Sequence, residues 1–220
     1  TFEGETAYYV EIDADAFDDL AGNSFAGIAD NSTWNFVTED ITPPLVSSFD
    51  PLDNAVDVGI SADLLITFNE PVAAQTGNIR IRRSGDNFLF ETIAVGDVGG
   101  SGTDVITINP VGTFEGETGY YVEIDATAFE DLSGNSFAGI ADNSTWNFTT
   151  EDVAAPVVSG YNPTDDATAV GISENLVLTF NEPVSAVLGD IRIRLTVGDA
   201  IFETIPVTDD TRVTGSGGAV

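Results

Sequence analysis

The sequence predicts an all-β protein built as a tandem array of antiparallel β-sandwiches, about seven strands to a period of about 112 residues. Three observations carry this. Apolar residues alternate over short runs bounded by Gly, Pro, Asn and Asp clusters, and the 3.6-residue spacing of an amphipathic helix is absent. Thr1–Asp40 recurs as Thr113–Asp152, differing only at Ala7/Gly119, Asp15/Thr127, Asp18/Glu130, Ala21/Ser133 and Val37/Thr149. Apolar residues make up 42% of the 220, so a chain with 37 acids and 6 basic residues still has material for a core.

The elements follow in order through the period that starts at the linker Thr42–Pro44. Strands are expected over 45–49 (LVSSF), 64–68 (LLITF), 78–83 (NIRIRR), 88–95 (FLFETIAV), 104–108 (DVITI), 118–124 (TGYYVEI) and 144–149 (STWNFT). Side chains alternate across a strand, so Leu64, Ile66 and Phe68 should face inward, as should Tyr120, Val122 and Ile124. Trp146 and Phe148 form a third inward set, with Trp34 read as core by the same pattern. Tyr121, Glu123 and Asp125 should face outward, as should Arg80 and Arg82. Gly99–Gly102 reads as a hairpin turn.

The repeat sets the expected domain organisation. Ile41–Asp97 recurs as Val153–Asp209 at the same offset, sharing TFNEPV, IRIR and FETI; three extra residues then bring VGGSGTDV (98–105) onto VTGSGGAV (213–220). One complete unit is expected over 41–152, with 1–40 the C-terminal fragment of a preceding unit and 153–220 the N-terminal fragment of a following one. Counterparts of Ile106–Gly112 occur in neither fragment. The chain opens without Met or a signal peptide and is expected to be an excerpt of something longer.

The blocks TFNEPV, TGYYVEI, EDLSGN and TWNFTT, in this order and spacing, resemble the tandem bacterial immunoglobulin-like domains of large surface proteins, including the type first described in S-layer proteins. Phe114-x-x-x-Thr118-x-Tyr120 is also similar to a strand signature of fibronectin type III domains, in which the tyrosine hydroxyl pins a corner. The resemblance covers a whole repeat and both fragments. It implies an immunoglobulin-like sandwich, rod-like arrays in secreted adhesins and cell-envelope proteins, and no catalytic residues to carry over.

Composition removes several chemistries. There is no Cys and no His, hence no disulfide, thiolate or imidazole ligand, and no ordinary triad base. A net charge of −31 is repelled by nucleic acid and anionic lipid, and no apolar run is long enough to span a bilayer. What remains is carboxylate chemistry. In an immunoglobulin-like sandwich, Asn69–Glu70 and the loop Asp125–Asp142, with Asp131 and Asn135, should gather near Glu39–Asp40. At the other pole the loop carrying Asp50, Asp53 and Asp57 should approach Glu151–Asp152. Ca²⁺ takes about six to eight oxygen ligands in irregular geometry and is one occupant such junctions suit. Self-bonded turns at Asp131–Asn135 and diffuse screening by Na⁺ are the other readings.

A Glu91/Glu123 carboxylate pair matches a glycosidase only in residue type, and the chain is not expected to be an enzyme. The arginine row and Tyr121, with its equivalent Tyr9, are weighed as a glycan-binding surface against cross-strand ion pairs to Glu91 or Glu123. The leading expectation is an extender segment of a secreted bacterial surface adhesin, its partners the neighbouring repeats. A glycan- or surface-binding module and an accessory domain of a secreted enzyme are the alternatives. The two fragments expose unpaired edges, so 153–220 of one molecule is expected to take up 1–40 of the next, head to tail. The rival arrangement folds 1–40 onto 41–105 and 113–152 onto 153–220.

Overall fold

The backbone is strand and turn throughout; the structure, a computed structural model, describes residues 1–215. The chain divides into two compact units, Thr1–Val153 and Ala154–Val220. In the first unit, β1 (Ala7–Tyr9) and β2 (Asn35–Val37) form a two-stranded antiparallel ladder of their own. There follow β3 (Val46–Asp50), β4 (Ala55–Val58), β5 (Leu64–Ala74), β6 (Asn78–Arg83) and β7 (Leu89–Ala94), then a 3₁₀ turn at Val95–Asp97. The unit ends with β8 (Thr103–Ile108), β9 (Gly119–Ile124), β10 (Phe129–Asp131) and β11 (Asn147–Thr150).

Residues 46–150 make an immunoglobulin-like sandwich. In one sheet the long β5 takes β3 and β8 along its first half and β10 along its second, all antiparallel. The other sheet runs β4-β11-β9-β6-β7. The expected inward sets meet between them: Leu64, Ile66 and Phe68 from one sheet, Tyr120, Val122, Ile124 and Phe148 from the other, all buried with Trp146. The Trp146 indole donates from Nε1 to the Pro51 carbonyl at 2.9 Å and stacks on Phe49 at a centroid distance of 4.6 Å. The corner forms as well, the Tyr120 hydroxyl accepting the Glu115 N–H at 3.0 Å.

Several expectations change. β5 does not stop at Phe68. It continues through Asn69-Glu70-Pro71, with its register against β8 shifting between Thr67 and Val72, an irregularity that accommodates a proline without an N–H. β4 is a strand, not loop, and it pairs parallel to β11, so the sandwich is not wholly antiparallel. Tyr121 is buried, not exposed: it lies opposite Arg82, and its hydroxyl donates to Asn87 Oδ1 in the β6–β7 hairpin at 3.2 Å. Trp34 is half exposed, not core, because no second sheet covers the β1–β2 ladder as it covers β9 and β11. The rival arrangement is not the observed one, since β9, β10 and β11 pair with β6, β5 and β4 of their own period.

In the second unit β12 (Val158–Asn162) pairs with β13 (Val177–Phe180), and β14 (Asp190–Arg194) with β15 (Ile201–Pro206), each an antiparallel two-stranded ladder. Of the correspondence drawn to 213–220, residues 216–220 lie outside the described residues.

Candidate cation centre at the repeat junction

Pairing within each repeat assembles the junction. The β1–β2 register sets Ala7 opposite Val37, and the ladder extends outward through Thr38 N–H to the Thr6 carbonyl and Glu5 N–H to the Glu39 carbonyl. Glu5 thereby lies beside the start of the linker. Asn69 then ties the linker to the sandwich: its Oδ1 accepts the Leu45 N–H at 2.7 Å, and its own N–H donates to the Leu45 carbonyl at 2.9 Å. On the neighbouring loop, Asp131 Oδ1 accepts the N–H groups of Ser133 and Asn135, and its Oδ2 accepts Asn135 Nδ2 at 2.7 Å. Asn135 Nδ2 also donates to the Asp40 carbonyl at 3.2 Å, and the Ser133 hydroxyl reaches Asp40 Oδ2 at 3.4 Å.

These contacts bring Asp40, Glu70 and Asp131 together, with one carboxylate oxygen from each lying within 4.8 Å of the others. Burial pushes the Glu70 carboxyl above its ordinary range, and the charges of Asp131, Asp40 and Glu5 add to the effect. The Glu5 carboxyl is raised chiefly by a side-chain hydrogen bond with Asp40, which needs a proton between the two acids. Asp131 moves the other way: burial pushes its carboxyl up, but hydrogen bonds from the Asn135 side chain and backbone, and from Ser133 and Gly134, outweigh it. The arrangement therefore holds a fixed anion at Asp131 beside acids that repel it. Either protons or a cation relieve that repulsion. Oxygen ligands in irregular spacing are what a hard ion such as Ca²⁺ takes, and Asp40, Glu70 and Asp131 are the residues that could hold one.

The other sequence-derived candidates lie elsewhere. Glu39 takes part through its carbonyl, and its side chain is exposed. Asn69 and Asn135 spend their amides on the linker, as described. Asp125 accepts both the Asn78 N–H and the Arg80 guanidinium, the latter at 2.6 Å, so it is an ion-pair partner and not a member of the junction cluster. At the opposite pole no carboxylate cluster forms among the described residues. Asp50 ends β3 in solvent, and Asp53 Oδ1 accepts both the backbone and the side-chain N–H of Asn147. Asp57 is an exposed residue of β4 in the left-handed region, Glu151 accepts the Ile60 N–H, and Asp152 is exposed. Asp53 and Glu151 thus accept from backbone amides of their own unit. Glu5 was missed by reading the linker alone; counting outward from the β1–β2 register would have found it.

Each of the six arginines is in an ion pair, including Arg80 with Asp125 and Arg82 with Glu123. The expected Arg82–Glu123 type of cross-strand pair forms, but Glu91 instead accepts the N–H groups of Val111 and Gly112. No helix among the described residues is long and apolar enough to cross a membrane.

Comparison with known proteins follows the repeat. A profile described as Bacterial Ig-like domain matches residues 40–150 and again 152–217. No curated protein matches the chain. Among solved structures, the N-terminal part of the bacterial S-layer protein SbsC is 19% identical with a TM-score of 0.34, over 76% of this chain and 38% of that one. The S-layer protein rSbsC(31-844) is 19% identical with a TM-score of 0.35, over 76% of this chain and 22% of that one. The chain thus spans well under half the length of either. On the two successive profile matches, the chain belongs to the bacterial Ig-like domain family.

Proposed function

We propose that these residues are a non-catalytic spacer segment of a secreted bacterial surface protein, in which successive Ig-like repeats hold a distal binding module away from the cell. The observation that carries this reading is the fastened junction. Asn69 grips Leu45 through two hydrogen bonds, and Asn135 grips Asp40, so the linker between 1–40 and the following sandwich is tied at both ends. Pro43–Pro44 restricts its backbone further. A spacer needs stiffness between near-identical units and needs no active site. Small-angle scattering on chains of increasing repeat number tests it: the maximum dimension should grow in proportion to repeat number, and a collapsed or freely hinged ensemble would overturn it.

The cluster of Asp40, Glu70 and Asp131 supports a cation as part of the same role, because an ion there would neutralise the repulsion and stiffen the joint. Thermal unfolding with Ca²⁺ and with chelator is the measurement. A site held a hundredfold above its dissociation constant adds about 2.7 kcal/mol, and Glu70→Gln should abolish that increment. An equal response to any added salt would assign the effect to screening instead. The glycan-binding alternative finds less support, since the arginine row is engaged in ion pairs and Tyr121 is buried.

A further inference from the structure

In the complete sandwich β4, near the start of the repeat, and β11, at its end, lie side by side and point the same way. β4 is the edge of its sheet and pairs parallel with β11, Ala55 opposite Phe148 and Val58 opposite Thr150. Further hydrogen bonds prolong this short ladder in both directions. Ahead of it, the Trp146 indole donates to the Pro51 carbonyl, and Asp53 Oδ1 accepts the Asn147 N–H at 3.0 Å and its Nδ2 at 2.8 Å. The Asn54 N–H donates to the Asn147 carbonyl at 2.7 Å. Beyond it, the Glu151 N–H donates to the Val58 carbonyl at 2.8 Å, and the Ile60 N–H to the Glu151 carboxylate at 3.2 Å. Residues 51–60 and 146–151 are thus stitched from end to end, the partners advancing together along both.

Direction decides what such a stitch does under tension. The sandwich is continuous with chain on both sides, 1–40 before it and 153–220 after it. A pull through that chain draws β4 by its N-terminal end and β11 by its C-terminal end. On parallel strands these pulls oppose each other along the strand axis, so the bonds are loaded together. On antiparallel strands the same pull would act at one end and open the bonds in turn. β3 lies ahead of β4 on the loaded path, but it is an edge strand whose partner is β5, and its ladder is interrupted between Val46 and Ser48. The stitch behind it is longer and is anchored in the core through Trp146, which is fully buried.

We infer that residues 51–60 and 146–151 form a shear clamp, which makes the repeat resist tension along the chain. The side chains of the stitch recur one period away: Trp34, Asn35 and Glu39 match Trp146, Asn147 and Glu151, and Asp165 matches Asp53. The parts of the clamp therefore belong to the repeat and not to one copy of it. The inference rests on the spacer reading only for the source of the load, since a segment held at the cell and bound at its far end carries tension.

Single-molecule stretching of the full 220-residue chain tests it, with cysteine handles because the chain has no Cys of its own. Thr42→Cys with Ala155→Cys loads the stitch in shear. Moving the first handle to Ser61→Cys puts both beyond the same end of the stitch and peels it; all three positions are exposed. The sandwich is recognised by the roughly 30–40 nm of chain that its unfolding releases. Rupture in shear should need at least about twice the force of the peel. Asp53→Ala should speed unfolding in shear about fivefold and leave the peel unchanged, because the peel opens from Ile60 and Glu151. Glu91→Ala removes the acceptor of the Val111 and Gly112 N–H groups, away from the stitch, and should leave the shear force as it is. Equal forces in the two geometries would overturn the inference. So would an Asp53→Ala effect absent from shear or equal in both, or an equal loss of shear force at Glu91→Ala. A high shear force in an array that scattering finds freely hinged would support the clamp while removing the spacer, so the two readings fail separately.

Discussion

Residues 1–40 and 113–152 are nearly the same sequence in two environments, and the contrast separates what the local chain encodes from what the fold must supply. The turns are alike in both. Asp19 accepts the Ala21 and Asn23 N–H groups as Asp131 accepts those of Ser133 and Asn135, and Tyr8 accepts the Glu3 N–H as Tyr120 accepts that of Glu115. The Thr38 and Thr150 hydroxyls each accept the N–H just before the strand their own strand pairs with, from Thr6 and Thr118. Burial is not alike. Trp34 is 50% exposed where Trp146 is 0%, and Phe17 is 64% exposed where Phe129 is 0%. Short-range hydrogen bonds form wherever the sequence places the donors and acceptors. Burial needs the strands contributed by 46–108.

The contrast is broken most directly at the tryptophans. Trp146→Ala removes a ring from a closed core and its hydrogen bond to Pro51, so the sandwich should lose about 3–5 kcal/mol in denaturant unfolding. Trp34→Ala, measured where the chain is monomeric, should cost within about 0.5 kcal/mol. Equal losses would mean that the face of 1–40 is already covered.

The tyrosine corners give a smaller difference. Tyr120→Phe leaves the Glu115 N–H without its partner in a partly buried site, an expected cost of about 1–3 kcal/mol. The matching Glu3 N–H is exposed and can turn to water, so Tyr8→Phe should change stability by less than about 0.5 kcal/mol. A large effect at Tyr8 would show that the corner organises β1 and β2 without any core behind it.

These differences explain what was legible in the sequence. Alternation identified β5, β6, β8 and β9 because their inward residues are buried on one face with regular phase. β4 was not legible because Asp57 adopts φ 57° and the pairing with β11 slips between Phe148 and Thr150, so its side chains do not alternate. β10 is three residues inside a turn-rich loop, too short to carry a period. At the junction, Asp40, Glu70 and Asp131 were found because strand ends and linker must converge at one pole. Asp125 is not in that cluster; its carboxylate is taken up by the Arg80 guanidinium of the neighbouring strand. Trp34 was misread because its sequence is that of a core residue and its surroundings are not.

Ion pairs sharpen the comparison at a finer scale. Arg80–Asp125 links two strands across a partly shielded face, and a double-mutant cycle should return about 0.2–1 kcal/mol. Arg192–Asp190 lies within one exposed strand and should return nothing measurable.

The smallest difference is expected at the loops where burial plays no part. Asp142 accepts hydrogen bonds from the Ser144 and Thr145 hydroxyls and amides, which hold its carboxyl at about 2, and Asp30 is lowered by the same four donors from Ser32 and Thr33. NMR titration should find both well below the ordinary aspartate range, and a separation of more than about one unit would mean that the sandwich tightens its copy of the turn. The sign follows from linkage. A lowered carboxyl contributes stability above the ordinary value of 3.8 and loses it as pH falls from there through about 2. Glu70 and Glu5, both raised above 4.5, act oppositely: their repulsion is present above their folded values and is relieved as pH falls toward 4.5. The unfolding midpoint should therefore rise on mild acidification to about pH 4.5 and fall below about 3.8. Glu70→Gln should flatten the rise and leave the fall, because the turn at Asp142 does not depend on the junction.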